Sequence, residues 1–253
     1  MSENVVLQRA GHVTWLRFLS GTPLNVITLR LLEQFHESLD GIERDPPRVL
    51  VIQGGDQAFS GGADLSVMRA MPESDYLRFI ELEYALFRRL ESLPFMTIAV
   101  ASGPCIGNAA ELTLACDLRL AGRSLRWGLP ETKVGFPAPA QRLAKFVGLG
   151  RAKELVYAGL VLTAERALDL GLVTRIVDDA ALETEAHALA AQYAACAPLA
   201  IRHSKAALAR TYQTERNWDS EELASALEMF RTEDFREGAS AALERRKPNF
   251  VGR

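Results

Sequence analysis

Hydrophobic and polar positions follow two different periods along the chain, which predicts strands and helices in turn. Alternating residues over 5–7 and 12–18, on either side of Ala10-Gly11, predict an opening hairpin. Further on, apolar residues at a spacing of three or four predict helices, and short unbroken apolar runs predict buried strands. The predicted helices cover residues 28–42 and about 74–93, and the predicted strands cover residues 49–52, 96–101, 118–121 and 125–127.

From residue 138 onward the pattern is almost wholly helical, apart from one strand-like run over residues 173–177. The helices predicted there cover residues 151–158, 164–170, 182–196, 199–211, 215–230 and 234–244. Strands that alternate with helices favour crossover units stacked into a spiral or an open sheet. We therefore predict an α/β core over residues 1–195 and a helical C-terminal region over residues 196–253.

Composition and charge limit the class of partner. A net charge of -3 with 24% charged residues gives no electrostatic reason to expect nucleic acid, and a small molecule is the expected ligand. Three cysteines with no CxxC or Cys/His spacing suggest neither disulfides nor a zinc site, which fits a reducing compartment. No basic leader precedes an apolar run, and no stretch approaches 18 apolar residues. We expect a cytoplasmic protein that neither crosses a membrane nor binds a metal.

Two turns made of small residues are candidate oxyanion sites. Ser60-Gly61-Gly62-Ala63-Asp64 follows a predicted strand, and its small side chains would let a substrate carbonyl approach the Ala63 N–H. Alone, this motif is more typical of a glycine-rich surface turn. Gly107-Asn108-Ala109-Ala110-Glu111 repeats the arrangement and opens a predicted helix, whose first N–H groups lack partners.

Glu111 and Glu131 are the candidate acid/base residues. Glu111 comes three residues after Asn108, so a helix places both on one face, in a sequence too apolar for a routine surface position. The alternative is a first-turn glutamate favoured by the helix dipole. Glu131 follows Pro130, and its local sequence alone favours an ordinary loop residue. Two carboxylates around one water could add that water across a double bond.

Other chemistries lack their motifs. The four histidines have no serine or cysteine in a nucleophile-elbow setting, and neither GxGxxG nor GxxxxGK[ST] occurs. The basic segment over residues 244–247 is typical of a solvated helix end, with contact to ligand phosphates as the alternative.

At these residues the chain resembles the crotonase, or enoyl-CoA hydratase/isomerase, superfamily. The resemblance covers nearly the whole length. It begins at Asn25 and includes the motifs around residues 58–65, 111–117, 128–131, 141–143, 150–155, 162–173, 233–238 and 246–250.

The resemblance implies a spiral of βαβ units, a C-terminal trimerisation region, and a trimer or dimer of trimers. It implies an acyl-CoA thioester as substrate and no cofactor beyond that coenzyme A. The N–H groups of Ala63 and Asn108 would hold the thioester oxygen, and Glu111 and Glu131 would add or remove water at C2 and C3. The substrate contacts implied are Leu24, Ala63, Asp64, Leu65, Gly107, Pro130 and Phe250.

Three departures from the family pattern are visible. Asn108-Ala109-Ala110 stands where hydratases usually have glycines, so the Asn108 side chain could narrow the pocket or contact the acyl group. Residues 137–140 replace a glycine-rich stretch, and Ser66 stands where a lysine is frequent. We therefore expect an unusual acyl group and one missing contact to the coenzyme A phosphates.

Three alternatives stay open. A double-bond isomerase would need a single base, for which Glu131 is the candidate by resemblance. A thioester carried on an acyl carrier protein presents the same pantetheine as coenzyme A. A structural or RNA-binding role is disfavoured by the predicted helix over residues 28–42, where Arg30 is accompanied by Glu33, Glu37 and Asp40.

Overall fold

A computed structural model describes residues 4–68, 70–136, 138, 140–210, 232–234, 237, 241, 244 and 246–253. The helix predicted over residues 215–230 lies outside the described residues, as does most of the helix predicted over residues 234–244.

The described strands form two sheets. The strands are β1 (Asn4–Ala10), β2 (Val13–Leu19), β3 (Val49–Gln53), β4 (Met96–Ala101), β5 (Pro104–Ile106), β6 (Leu118–Gly122), β7 (Arg126–Gly128), β8 (Val161–Thr163) and β9 (Arg175–Val177). The larger sheet has the order β1-β2-β3-β4-β6-β9, in which β1 and β2 are antiparallel and the remaining pairs are parallel. The smaller sheet has the order β5-β7-β8, with a parallel pair followed by an antiparallel pair.

Helices are interspersed with these strands along the chain. They are α1 (Leu29–Arg44), α2 (Leu65–Met68), α3 (Glu73–Ser92), α4 (Asn108–Leu114), α5 (Ala140–Tyr157), α6 (Ala164–Asp169), α7 (Leu182–Ala194) and α8 (Pro198–Arg210). Short 3-10 helices cover Glu131–Val134 and Asp179–Ala181.

Both faces of the larger sheet are covered, which is why its central strands are continuous apolar runs. In β3, Val49 and Val51 belong to the cluster that packs against α7. Leu50 and Ile52 belong to the larger cluster, which contains the buried faces of α1, α3 and α4. Neighbouring residues of a strand point to opposite faces, so a strand buried between two layers needs apolar residues throughout.

Helix α1 shows how the sequence sets an element's limits. The Thr28 side chain accepts a hydrogen bond from the Leu31 N–H at 3.1 Å and so caps the first turn. The helix ends at Arg44, just before Asp45-Pro46-Pro47, because a residue that precedes proline disfavours the helical conformation.

The turns that were predicted to carry chemistry lie side by side at the smaller sheet. Ser60 bridges to Cys105 of β5 in parallel, and Ile27 bridges to Ala63 in the same sense. Asn25 ties this layer to β2, because its buried amide donates to the carbonyls of Phe18 at 3.1 Å and Phe59 at 2.8 Å. Segments distant in sequence are thus brought to one edge.

The predicted α/β core is confirmed, with three local differences. The short strands β5 and β8 were not predicted, whereas the equally short β7 and β9 lie within or beside the predicted runs over residues 125–127 and 173–177. The helix predicted over residues 151–158 is the second part of α5, which has a non-helical residue at Gly148 (φ 72°). The short helix α2, directly after the first small-residue turn, was also not predicted.

The C-terminal segments contact the core of the same chain. Lys205 of α8 donates to Asp117 at 2.7 Å and to the Phe95 carbonyl at 3.1 Å, and Arg48 donates to the Phe250 carbonyl at 2.6 Å. Within the described part of the chain, no helix has the length and apolar character needed to span a membrane. The boundary between residues 195 and 196 stays a prediction.

Candidate active site

Two small-residue turns meet closely at Gly62. A Cβ atom on Gly62, whose φ is +87°, would lie 2.6 Å from the Ile106 carbonyl oxygen and 3.3 Å from Asn108 Oδ1. The Ile106 N–H in turn donates to the Ser60 carbonyl at 3.0 Å. Only glycine fits this conformation and this space. The first turn and the start of α4 are therefore held against each other.

The N–H groups of Ala63 and Asn108 lie on this junction. Asn108 is the first residue of α4, and Glu111 N is the first group to make an intrahelical bond, to the Gly107 carbonyl at 3.1 Å. The N–H groups before it belong to a helix N-terminus and favour an anion. Ala63 and Asn108 both line the cavity described below, so the two residues predicted to supply the donors border one space.

Glu111 is a buried carboxyl held on one side by a cation. It is 2% exposed, and its Oε1 forms an ion pair with Arg142 of α5. The guanidinium also binds Glu91 of α3 through contacts of 2.8 and 2.9 Å. Burial raises the pKa of Glu111 to about 8 although Arg142 lowers it, and nearby carboxyls add to the rise. The Glu111 Oε2 atom has no hydrogen-bond partner among the described residues.

Glu131 approaches the same space from the third turn. Its Oε1 lies 3.2 Å from the position a Cβ would take on Gly107, which has a φ of +62°. The Gly107 N–H donates to the Gly128 carbonyl at 2.8 Å, which fixes the turn that carries Glu131 beside the N-terminus of α4. Burial raises the pKa of Glu131, and its Oε2 is unpartnered within the described residues.

These groups line one cavity of about 440 Å³. Its walls are mainly apolar and come from α2, α3 and the segments around residues 106 and 134. Apolar walls with a few convergent polar groups are typical of small-molecule sites. The polar or titratable side chains that line it are Tyr76, Glu83, Tyr84, Asn108, Glu111, Glu131 and Lys133.

The structure brings together most of the predicted site residues. Leu65, Gly107 and Pro130 line the cavity with the two donors and the two glutamates, whereas the described cavity wall does not include Leu24, Asp64 or Phe250. Leu24 lies behind the first turn, where its carbonyl accepts from the Gly61 N–H at 2.6 Å.

The two other residues have different local contacts. Asp64 accepts a 2.5 Å bond from the Ser66 hydroxyl and a 2.9 Å bond from the Ser66 N–H, and the hydroxyl bond is the main cause of its lowered pKa. Ser66, noted above as a departure from the family pattern, therefore positions Asp64 at the start of α2. Phe250 lies in the C-terminal segment and accepts from Arg48. Contacts of Leu24, Asp64 and Phe250 with a ligand stay predictions.

Sequence reasoning missed Glu83 and Arg142. Glu83 is 5% exposed and lies on the buried stripe of α3, with Phe79, Leu86, Phe87 and Leu90. Its place in that stripe, four residues after Phe79, is the signal that could have found it. Arg142 lies in the family motif over residues 141–143, but nothing in that motif indicated its contacts, because its partners Glu111 and Glu91 are distant in sequence.

Several features noted in the sequence have structural contacts instead. The His36 ring bonds to the Leu82 carbonyl at 2.9 Å, and the His187 ring lies 4.2 Å from that of Trp15. Arg246 forms ion pairs with Glu237 and Glu244. In the part of the chain that the structure describes, no group of three or more His, Cys, Asp or Glu residues is arranged to hold a metal ion.

A pair of candidate backbone donors beside one buried and one partly buried carboxyl, on the wall of an apolar cavity, defines a class of enzyme site. Such a site stabilises negative charge on a carbonyl oxygen while a nearby carbon gains or loses a proton.

Comparison with known proteins gives the family. The enoyl-CoA hydratase/isomerase family matches residues 9–253. The chain is 31% identical to a crotonyl-CoA hydratase of Syntrophomonas wolfei over 257 residues, with 99% of each chain covered. It is 32% identical to a short-chain-enoyl-CoA hydratase of Clostridium acetobutylicum, with 96% of each covered. A crystal structure of an enoyl-CoA hydratase from Bacillus anthracis superposes with a TM-score of 0.94 at 32% identity, covering 99% of this chain and 100% of that one.

The chain belongs to the enoyl-CoA hydratase/isomerase family and has the crotonase fold. The resemblance inferred from the sequence motifs is confirmed, and the protein is an enzyme of this family.

Proposed function

We propose that this enzyme adds water to, or removes it from, C2 and C3 of an acyl-CoA thioester. The observation that carries the proposal is the convergence of Glu111 and Glu131 on one cavity, each with one buried oxygen that has no partner among the described residues. Buried polar atoms require hydrogen bonds, and a reacting water between two carboxyls would supply them.

The two backbone donors hold the thioester oxygen in this proposal. When water attacks C3, the electron pair of the C2–C3 double bond moves toward the thioester. An enolate forms, and its negative charge lies largely on the thioester oxygen. The N–H groups of Ala63 and Asn108 stabilise this charge more strongly than they stabilise the neutral carbonyl, which lowers the barrier.

The carboxyl pair moves the protons. One glutamate accepts a proton from the attacking water as its oxygen bonds to C3, and a proton is delivered to C2 as the enolate collapses. Because burial raises the pKa of both Glu111 and Glu131, the pair can hold a proton near neutral pH while one member serves as a base. The reverse sequence is a dehydration.

The test follows the loss of conjugated absorbance for straight, branched and aromatic enoyl-CoA thioesters. Glu111→Gln and Glu131→Gln should each lower kcat by about 10²- to 10⁴-fold, because each removes an acid/base group while keeping its shape. Glu81→Gln is the matched control, since Glu81 is exposed on α3 and does not line the cavity. Turnover that survives both active-site substitutions would reject the proposal.

Isomerisation is the second candidate, favoured by the ion pair of Glu111. Oε1 of Glu111 is bound to Arg142, whereas Glu131 forms no ion pair with any residue that the structure describes, and moving a proton between two carbons needs one base. A relative from Mycosarcoma maydis, an enoyl-CoA isomerase/hydratase, is 36% identical over 213 residues. Isomerase activity that persists in Glu111→Gln but not in Glu131→Gln would favour this candidate.

The assembly and location are part of the same proposal. We infer a homo-oligomer, a trimer or dimer of trimers, in which residues 196–253 contribute to the contacts. Exposed apolar side chains, among them Leu149, Tyr157 and Leu208, support this inference. A cytoplasmic location, the absence of a cofactor and the choice of coenzyme A over a carrier protein stay predictions.

A further inference from the structure

A third glutamate faces the cavity. Glu83 extends from α3 toward the start of α4, is 5% exposed, and lines the same cavity as Glu111 and Glu131. The mechanism proposed above uses two carboxyls and gives Glu83 no role.

Glu83 lies against the side chain of Asn108. The Asn108 amide is close enough to lower the pKa of Glu83, although burial, the larger effect, raises that pKa to about 7. Asn108 is itself 9% exposed. Its backbone N–H is a candidate oxyanion donor, so the carboxyl and the amide lie directly beside the reacting end of the substrate.

The polar atoms of this pair have few partners besides each other. Apart from the contact between the Asn108 side chain and the Glu83 carboxyl, Glu83 Oε1 and both polar side-chain atoms of Asn108 have no hydrogen-bond partner within the described residues. Leaving such buried atoms unpaired costs about 1–3 kcal/mol each, so natural proteins rarely tolerate several together. All three atoms belong to residues that line the cavity, where a ligand could complete their bonding.

A purely structural role does not account for Glu83. Glu91, on the same helix, is paired with Arg142, which shows how this fold accommodates a structural carboxylate. No ion pair in the described part of the chain includes Glu83, and its neighbours Glu111 and Glu131 are themselves carboxyls. The contacts of Glu83 therefore do not compensate its burial in the fold.

We propose that Glu83 and the Asn108 side chain bind a hydroxyl group on the acyl chain of the substrate. A hydroxyl can donate to Glu83 Oε1 and accept from Asn108 Nδ2 at the same time. The inference rests on the proposed function, because it assumes an acyl-CoA thioester held by the Ala63 and Asn108 N–H groups.

The hydrogen-bonding pattern of the pair selects this group over others. A carboxylate on the acyl chain could accept from Asn108 Nδ2 but could not donate to Glu83 Oε1, and an ammonium group would require Glu83 to ionise in a buried apolar wall, which burial opposes. An unsubstituted chain offers these three atoms no hydrogen-bond partner. The hydroxyl lies beyond C3, since Glu111 and Glu131 occupy the place where water meets C3.

The test measures binding without turnover. Isothermal titration compares hexanoyl-CoA with 4-hydroxy-, 5-hydroxy- and 6-hydroxyhexanoyl-CoA, which are saturated and do not react. At least one hydroxylated thioester should bind the wild-type enzyme about tenfold more tightly than hexanoyl-CoA, as expected for satisfying buried polar groups. Glu83→Leu should abolish this preference, and Glu83→Gln, which can still donate and accept, should keep part of it.

The outcomes separate this inference from the proposed function. Equal binding of all four thioesters by the wild-type enzyme would overturn the hydroxyl site and leave the acyl-CoA assignment intact. The same conclusion would follow if Glu83→Leu kept the wild-type preference for a hydroxylated thioester. Binding of none of the four would overturn the proposed function and the hydroxyl site with it. Glu81→Leu, an exposed position on the same helix, is the control and should keep the wild-type preference. If Glu83→Leu does not fold, the binding series with the wild-type enzyme and with Glu83→Gln still tests whether Glu83 binds a hydroxyl group.

Discussion

At the scale of single residues, backbone conformations that favour glycine position the two proposed oxyanion donors. Gly62 and Gly107 both have a positive φ, and a Cβ atom would collide with the Ile106 carbonyl oxygen at Gly62 and lie 3.2 Å from Glu131 Oε1 at Gly107. The donors are main-chain groups, so substitution acts on them through the position of the turns rather than by removing them.

Gly62→Ala tests how much of the requirement for glycine at this position comes from close contact with Ile106. The added Cβ would lie 2.6 Å from the Ile106 carbonyl oxygen at a φ of +87°. Gly171 has a similar φ of +73° and nothing within 4 Å, so Gly171→Ala measures backbone strain alone, at about 1 kcal/mol. Gly62→Ala should cost about 2 kcal/mol more in urea unfolding and remove most activity. Equal costs for the two variants would contradict a tight junction.

Glu83 makes the stability of the fold depend on pH. Its folded-state pKa is raised from an ordinary value of about 4.5 to about 7. The folded chain thus holds its proton more tightly than the unfolded chain, and stability falls as pH rises through this interval. The titratable groups near it are Tyr84, Glu111 and Glu131.

Glu83→Gln should therefore stabilise the protein at high pH and change it little at low pH. The gain over wild type should reach the order of 2 kcal/mol near about pH 8 and fall toward zero near about pH 5. Denaturant unfolding across this range measures the difference. Glu81→Gln, on the exposed side of α3, should show no such trend, and a Glu83→Gln effect independent of pH would contradict the argument.

At the scale of elements, α3, α4 and α5 are joined through one guanidinium. Arg142 of α5 binds Glu91 of α3 and Glu111 of α4, and its charged group lies 5.4 Å from the centre of the Phe87 ring. A charge at this depth is tolerated only while its partners are present. The position of Glu111 therefore depends on how three helices pack.

Arg142→Leu should destabilise the fold by about 3 kcal/mol, because it removes the buried partner shared by Glu111 and Glu91. Combining it with Glu111→Gln should cost clearly less than the two single changes together, since the contact between these two side chains is lost only once. Chemical unfolding of the two single variants and the double variant gives the coupling. Additive costs would show that Arg142 acts on stability independently of Glu111.

The sequence was most informative about elements with a long and clean pattern. Helix α1 and strands β3 and β4 lie where periodicity and the Pro46-Pro47 stop place them. It was least informative about β5 and β8, which are strands because of their pairing and not because of their own residues.

In the candidate site too, residues with a local sequence signal were easier to predict than residues that depend on contacts with distant segments. Glu111 is recognisable because it follows a small-residue turn, whereas Arg142 reaches the site from a distant helix. Glu81 and Glu83 are both glutamates in one amphipathic helix, and only the helical phase separates the exposed residue from the buried one. Local sequence does not report which cavity a buried stripe faces.

At the scale of the whole molecule, several large apolar side chains between residues 149 and 161 are exposed. Leu149 is 65% exposed and Tyr157 is 72% exposed, and Leu160 and Val161 follow them. Contiguous exposed apolar residues are typical of contact surfaces between chains.

The proposed oligomer predicts a change in mass. Sedimentation should give the mass of a trimer or of a dimer of trimers for the wild type, and Leu149→Glu with Tyr157→Glu should shift it toward a single chain, because charges are costly in a buried interface. Val6→Glu, at a 45% exposed position on β1, is the control and should leave the mass unchanged. A wild type that sediments as one chain would reject the oligomer.

The location of much of the cavity wall on helix α3 also bears on how this enzyme could evolve or be redesigned. The groups proposed to stabilise charge belong to the backbone around β5, while Glu83 and much of the apolar wall belong to α3. A lineage can therefore exchange side chains along one helix and acquire a new substrate without rebuilding its chemistry. An engineer who seeks a different acyl preference in this scaffold would randomise the inward positions of α3 first and leave the glycine turns alone.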